Sequence, residues 1–272
     1  MVPTVRPQHV AAPPPPPMAC HGAAPAVHWT VPLSPPTLCD GELHVWRIDL
    51  DAAAMDSDPT LDAAERARAA RFVFPRDRWR YVAAHAALRR ILGHYLGLAP
   101  AALPLRRGSE GKPELALPDA PAFNLSHAGG LALVAIGRVR ALGIDIETVR
   151  PLPDAELLAQ RCFTPAECVV IAATVPQRRT LAVLTCWTRK EALLKTTGDG
   201  LACDLTRIHV GADAAPRRLA VRAGADGPMD VALRTFRPAP DHIAACGVAL
   251  GGGGACGDDP PVTHWYTDVT AS

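Results

Sequence analysis

Lysine is nearly missing from this 272-residue chain: among its 28 basic residues only Lys112, Lys190 and Lys195 are not arginine. Where a coding bias favours arginine so strongly, lysine is expected to persist where a compact ammonium is needed and a planar guanidinium fails. An excess of charge is missing too. The formal net charge is +1, which argues against a dedicated nucleic-acid binder or a membrane-surface protein. No apolar run of about 18 residues occurs, so no membrane span is expected, and no apolar stretch of the signal-peptide kind opens the chain. A cytoplasmic location with no membrane partner follows as the expectation. The eight cysteines are scattered without any C-x-x-C, which provides neither a disulfide framework nor a cysteine zinc site. No G-x-x-x-x-G-K-[ST] loop is present, so bound phosphates would be held by side chains and metal.

Hydrophobic residues make up 49% of the chain, enough for a sizeable core in one large domain or two ordinary ones. Residues 1–40 contain the run Pro13–Pro17 and little apolar periodicity, and are expected to be extended or disordered. Residues 253–272, after Gly251–Gly254, read as a flexible tail.

Between them, two similar successions appear. The first, over 41–140, opens with a strand at His44–Leu50. Asp62 with Glu65 caps a helix, Phe72–Pro75 interrupts it, and a second helix runs from Arg76 to Leu96 with Gly97 as its stop. Tyr81, Ala84, Leu88, Ile91 and Tyr95 share a helical face there, and strands follow through Leu131–Ile136. The second, over 141–252, opens with the strand Leu142–Ile146. Thr164-Pro165-Ala166-Glu167 forms a capping box, and a break at Val175-Pro176 leads to a helix from Arg178 to Thr196, stopped by Gly198. Strands then run through Ile243–Leu250. An α+β fold of two pseudo-equivalent halves is expected, each with a small antiparallel sheet packed on helices and a cleft between them.

Four short constellations carry chemistry. In the strand Gly143-Ile144-Asp145-Ile146-Glu147, residues two apart share a face, so Asp145 and Glu147 present their carboxylates together. A hard divalent cation is one answer to that repulsion; a solvated strand end is the other. On the helix around Trp187-Thr188-Arg189-Lys190-Glu191, Glu191 and Lys195 lie four apart on one face, as a functional pair or an ordinary surface ion pair. Phe123-Asn124-Leu125-Ser126-His127 joins a serine to a histidine. Neighbours on an extended segment face opposite ways and no G-x-S-x-G elbow exists, so His127 reads as a ligand contact or a structural histidine. The arginines at 66, 68, 71, 76, 78 and 80 make a phosphate-binding or a solvated helical face.

In this order, Gly111-Lys112-Pro113, Phe123–His127, Gly143–Glu147 and Trp187…Lys190-Glu191-Ala192…Lys195…Gly198…Gly200-Leu201 resemble the Sfp-type phosphopantetheinyl transferases, over roughly residues 43–250. The resemblance implies a monomer that moves 4′-phosphopantetheine from coenzyme A to a serine of an apo acyl or peptidyl carrier protein. It implies Mg²⁺, with Mn²⁺ as a substitute, held by Asp145, Glu147 and Glu191. Glu191 and Lys195 would be catalytic. Arg68, Arg80, Lys112, Ser126, His127, Asp145, Lys190 and Lys195 would contact coenzyme A. Lys195→Arg is then expected to fail, and Arg189→Lys, off the proposed face, to be neutral. Two rival readings are a non-catalytic adaptor binding coenzyme A or carrier domains, and an RNA binder using the arginines with Phe72, Phe74, Trp79 and Tyr81.

Overall fold

In a computed structural model, the residues described are 24–34, 36–52, 55–108, 112–198, 203–223, 227–251 and 260–268. Gly111, Gly200, Leu201, most of the proline-rich head and the glycine run after Gly251 lie outside them.

Strand β1 (Glu42–Asp49) alternates its side chains between two buried faces. The capping box at Asp62 opens helix α1 (Ala63–Ala69): Glu65 N donates to Asp62 Oδ1 at 2.8 Å and Asp62 N to Glu65 Oε2 at 3.0 Å. These two bonds satisfy donors that a helix start otherwise leaves open. Pro75, whose ring presets a helical φ, starts the long helix α2 (Pro75–Leu96), and left-handed Gly97 ends it. A short hairpin, β2 (Leu105–Arg107) and β3 (Pro113–Leu115), leads to the hairpin β4 (Ala122–Ala128) and β5 (Leu131–Gly137). Strand β6 (Leu142–Thr148) then begins the second half. Helices α3 (Ala155–Cys162), α4 (Pro165–Ala173) and α5 (Pro176–Thr197) follow, and strands β7 (Arg217–Ala223), β8 (Gly227–Phe236), β9 (His242–Leu250) and β10 (Val262–Thr267) complete the described chain.

The two principal sheets have the orders β10-β1-β5-β4 and β6-β9-β8-β7. Residues of both, Leu43, Val45 and Leu133 from one and Ile144, Ala244 and Val248 from the other, share one buried cluster, so the sheets pack face to face. Helix α2 covers the outer face of the first sheet and α5 that of the second.

The two halves correspond closely. Both α2 and α5 span 22 residues with proline at the first turn and a left-handed glycine after the last. Arg89 and Lys190 occupy the same place in the two helices, and each is fully buried. Arg89 Nε bonds Glu65 at 2.6 Å and Lys190 Nζ bonds Glu167 at 2.9 Å, each glutamate being the third helical residue of its own capping box. A charge without water costs several kcal/mol unless paired, so each half repeats one electrostatic solution.

Two expectations about the tails are corrected. Residues 262–267, read as a flexible extension, form β10, which pairs in parallel with β1 and departs from the antiparallel pattern of the other ladders. Residues 24–30, read as part of a disordered head, cross from the second half to β10. Arg237 N donates to Pro25 O at 2.8 Å, Trp29 Nε1 to Pro238 O at 3.0 Å, and Thr30 N to Trp265 O at 3.0 Å. The aromatic pair Trp29 and Trp265, edge to face at 5.6 Å, shows why polar-looking tail residues become ordered: they cover apolar surface that neither half buries alone.

Candidate active site

The site begins with two glycines. Gly143 on β6 and Gly247 on β9 are cross-strand partners, and α5 rests on them. A Cβ at Gly143 would meet Ala192 O at 2.3 Å, Thr196 N at 2.6 Å and Lys195 Cβ at 2.7 Å. Only glycine admits a helix backbone this close. The approach sets the Glu191 and Lys195 positions of α5 over the face of β6 that carries Asp145 and Glu147. Ile144 and Ile146 turn the other way, into the core between the sheets.

Asp145 is the centre. Its Oδ1 accepts from Lys195 Nζ at 2.7 Å and from Ser126 Oγ at 3.0 Å. Its Oδ2 is buried without any hydrogen-bond partner. Burial pushes the Asp145 pKa up against the pull of Lys195 and Ser126. Lys195 Nζ also donates to Ser126 Oγ at 3.1 Å and Ile144 O at 3.2 Å, so its three bonds fix it between β4 and β6. Glu147, half-buried, accepts from Trp187 Nε1 at 3.2 Å. Burial first and the Asp145 charge second raise its pKa, and the same two causes raise that of Glu191. Three carboxylates thus resist ionising together, as like charges in a desolvated site must. Among the described residues their ligand atoms do not all come within 4.8 Å of one another.

The other expected site residues fall into three groups. Ser126 belongs to the centre. Lys112 supports it from behind: Nζ donates to Leu142 O at 2.9 Å and Lys195 O at 2.8 Å, tying the start of β6 to a terminal carbonyl of α5. Burial lowers the Lys112 pKa to about 8. His127, on the opposite face of β4 from Ser126, keeps an exposed edge although protein crowds the rest of its ring. Desolvation, then the positive fields of His85, Lys195 and Arg80, lower its pKa, and such a field favours anions. Arg80 makes a two-pronged bond to Asp51 at 2.8 and 2.6 Å, which holds the Asp51 pKa at about 2. Arg68 lies 5.9 Å over the Tyr81 ring, itself tilted against His85 at 4.1 Å.

Lys190 is not at the site. It is fully buried on another side of α5, where its ammonium reaches Glu167, Leu205 O at 2.8 Å and Ile208 O at 2.6 Å. Arg189 lies off that face as expected but is also buried, donating to the carbonyls of Asp213 and Ala215, so a neutral Arg189→Lys is no longer expected. The sequence reading assigned no role to Asn124, whose Oδ1 accepts from Ile144 N at 2.8 Å and joins β4 to β6. It also missed Trp187 and the close approach at Gly143, although all three stand inside the quoted motifs. Asp51 carries no sequence signal.

Fold and site together define a two-half α+β protein with a carboxylate–lysine centre and an adjoining basic face. The profile described as "4′-phosphopantetheinyl transferase superfamily" matches residues 141–246, and that described as "4′-phosphopantetheinyl transferase, N-terminal" matches residues 54–138. The chain is 43% identical over 172 residues to the 4′-phosphopantetheinyl transferase HetI of Nostoc sp., covering 61% of this chain and 73% of that protein. It is 30% identical over 231 residues to a phosphopantetheinyl transferase of Thraustochytrium sp., with 79% and 78% covered. Against the 4′-phosphopantetheinyl transferase psf-1 of Bacillus pumilus, identity is 28% over 188 residues, with 69% and 72% covered. The crystal structure of Thermotoga maritima holo-[acyl-carrier-protein] synthase aligns over 40% of this chain and 62% of its own, with a TM-score of 0.27 and 19% identity. The chain belongs to the 4′-phosphopantetheinyl transferase family. It is an enzyme of the phosphopantetheinyl-transfer class.

Proposed function

We propose that the chain transfers the 4′-phosphopantetheine arm of coenzyme A to a serine of an apo acyl or peptidyl carrier protein. The serine oxygen attacks the β-phosphorus, the bond from that phosphorus to the bridging oxygen breaks, and adenosine 3′,5′-bisphosphate leaves. Glu191 takes the serine proton; burial and the neighbouring Asp145 raise its proton affinity, which suits a general base worth on the order of 10²–10⁴-fold. Lys195 lies beside the leaving oxygens, held ready by Ser126 and the Ile144 carbonyl. Asp145, Glu147 and Glu191 are the residues that would hold Mg²⁺, or Mn²⁺ in its place, and the ion would neutralise charge on the pyrophosphate.

The carrying observation is Asp145 Oδ2, a buried carboxylate oxygen with no hydrogen-bond partner, beside two further carboxylates whose pKa values burial and then the Asp145 charge raise. A hard cation supplies what that oxygen lacks. The Asp145–Glu147–Glu191–Lys195 set is complete, which speaks against a non-catalytic adaptor. On the basic face, His127, Arg80 and Arg68 are the residues for the 3′-phosphate and ribose region, while Lys112 acts by fixing the junction of β6 and α5.

Mass spectrometry of apo carrier proteins incubated with the enzyme, coenzyme A and Mg²⁺ tests this. The carrier serine is expected to gain the phosphopantetheinyl mass only with both additions. Undiminished transfer in excess chelator would overturn the metal assignment, and no transfer to any of several carriers would overturn the reading itself.

A further inference from the structure

A second group of ligating side chains lies in the other half, on the ladder that β10 makes with β1. His44 and His264 are direct partners in that parallel register, and Glu42 stands two residues before His44 on the same face. One atom from each of Glu42, His44 and His264 lies within 4.8 Å of the others, the one such trio among the described residues. The carboxylate straddles the rings, with Oε2 3.4 Å from His44 Nε2 and Oε1 3.4 Å from His264 Nε2.

The two nitrogens are prepared differently. His264 Nε2 is buried without a hydrogen-bond partner, an unusual condition for a polar atom. His44 is enclosed, and its Nδ1 lies 2.7 Å from the Tyr95 hydroxyl, which also accepts from Trp46 Nε1 at 2.9 Å. In the tautomer that donates Nδ1–H to that oxygen, the Nε2 lone pair is turned to Glu42 and His264, and a bound cation would select that tautomer, as an outer partner does for a ligating histidine. Glu42 Oε2 is in turn held by Cys39 N at 2.9 Å. Tyr266 walls the group, its ring 5.2 Å from His44 and stacked with His264 at 6.3 Å. His264 and Glu42 remain partly open, with side chains 40% and 25% exposed, which leaves a route for an ion to enter.

We propose that Glu42, His44 and His264 form a second metal site, separate from the transfer centre, that binds a borderline divalent cation of the Zn²⁺ class and pins β10 to β1. Two imidazoles and one carboxylate select such ions over Mg²⁺, which prefers oxygen ligands. Three protein ligands leave a position for water. Because His44 and His264 come from strands distant in sequence, the ion links segments that otherwise meet only through the ladder and its side chains. Binding to the folded state alone must then stabilise it.

The test separates this site from the carboxylate centre. In a full-length Asp145→Asn/Glu191→Gln variant, one equivalent of Zn²⁺ is expected to bind with a Kd of about 1 μM or tighter, with a rise in Tm. Adding His264→Gln should weaken binding by roughly tenfold or more and abolish the rise. No bound equivalent in the first variant, or unchanged binding in the second, overturns the proposal. Should the His264 variant fold poorly, the unaltered chain decides. Zn²⁺ should protect His264 from diethyl pyrocarbonate, mapped by mass spectrometry, while exposed His209 reacts equally with and without the ion. Equal modification of His264 in both conditions overturns the site. Either result is independent of transfer to a carrier protein.

Discussion

Gly143 and Gly247 face one another across the β6–β9 ladder and jointly carry the backbone of α5. Their neighbours differ in kind. Around Gly143 the nearest atoms are two backbone atoms of α5 and the Lys195 Cβ, whereas the closest atom to Gly247 is the hydroxyl of the Thr196 side chain at 2.6 Å. Gly143→Ala is therefore expected to cost about 1–3 kcal/mol in urea unfolding. Since it also displaces Glu191 and Lys195, it should lower kcat/KM by roughly 10²-fold. Gly247→Ala should be milder on both counts, and equal losses would show that the helix backbone yields.

Lys195 serves three acceptors at once, Asp145, Ser126 and the Ile144 carbonyl. A planar guanidinium cannot reproduce bonds that converge on one nitrogen. Lys195→Arg is expected to lose roughly 10²-fold in kcat/KM for coenzyme A while keeping a normal thermal melt. Near-wild-type activity would show that the charge alone suffices.

Lys190→Met should act on stability and not on coenzyme A. It leaves Glu167 buried beside an apolar side chain, a loss of about 3–5 kcal/mol for a broken buried pair. KM for coenzyme A, measured below the melting transition, should be unchanged; a large rise would return Lys190 to the site. Arg189→Lys should cost roughly 1–3 kcal/mol, because carbonyls at Asp213 and Ala215 lose donors.

The raised carboxylates make a signed prediction about pH. The folded-state pKa values of Asp145, Glu147 and Glu191 lie above their unfolded values, so folding favours their protonated forms. That contribution is present below the ordinary carboxylate range near pH 4 and is lost as pH rises through the raised values. In chelator, Tm should fall as pH rises above the ordinary carboxylate range, more steeply for the wild type than for Asp145→Asn. Adding Mg²⁺ at the higher pH should recover the difference. Parallel curves would mean that the three groups ionise without mutual strain.

Removing residues 261–272 should destabilise the protein, because Trp265 and Tyr266 pack against Phe236 and Trp46 at ring distances of 4.6 and 4.9 Å. Burying one such side chain contributes about 1.5–3 kcal/mol, so the two together should move Tm by roughly 10 °C. A melt unchanged by the truncation would show β10 to be dispensable.

Local rules made much of this molecule legible. Asp62/Glu65 and Thr164/Glu167 announce their helices through side chains a few residues apart, and Gly97 and Gly198 announce the ends. Alternation alone turns Asp145 and Glu147 to one face. Lys190 was misplaced because the motif drew it to its neighbour Glu191, yet adjacent helical residues diverge by about 100°. Its own face carries Cys186, Leu193 and Leu194, an apolar stripe that marks burial. Strand β10 could not be read, since His264, Trp265 and Tyr266 gain their apolar setting from β1, Trp29 and Phe236. Nothing near them in sequence supplies it.

The parallel ladder between β1 and β10 has a temporal consequence. A ribosome delivers β1 early and β10 only after the entire second half has emerged, so the first sheet lacks an edge strand throughout that interval. Until then one edge of β1 offers open backbone donors and acceptors to any neighbouring chain. Pairings between distant segments also form slowly. The nascent first half is thus the stage at which this protein is most exposed to aggregation, and a chaperone shielding β1 during synthesis would do for it temporarily what residues 262–267 do permanently.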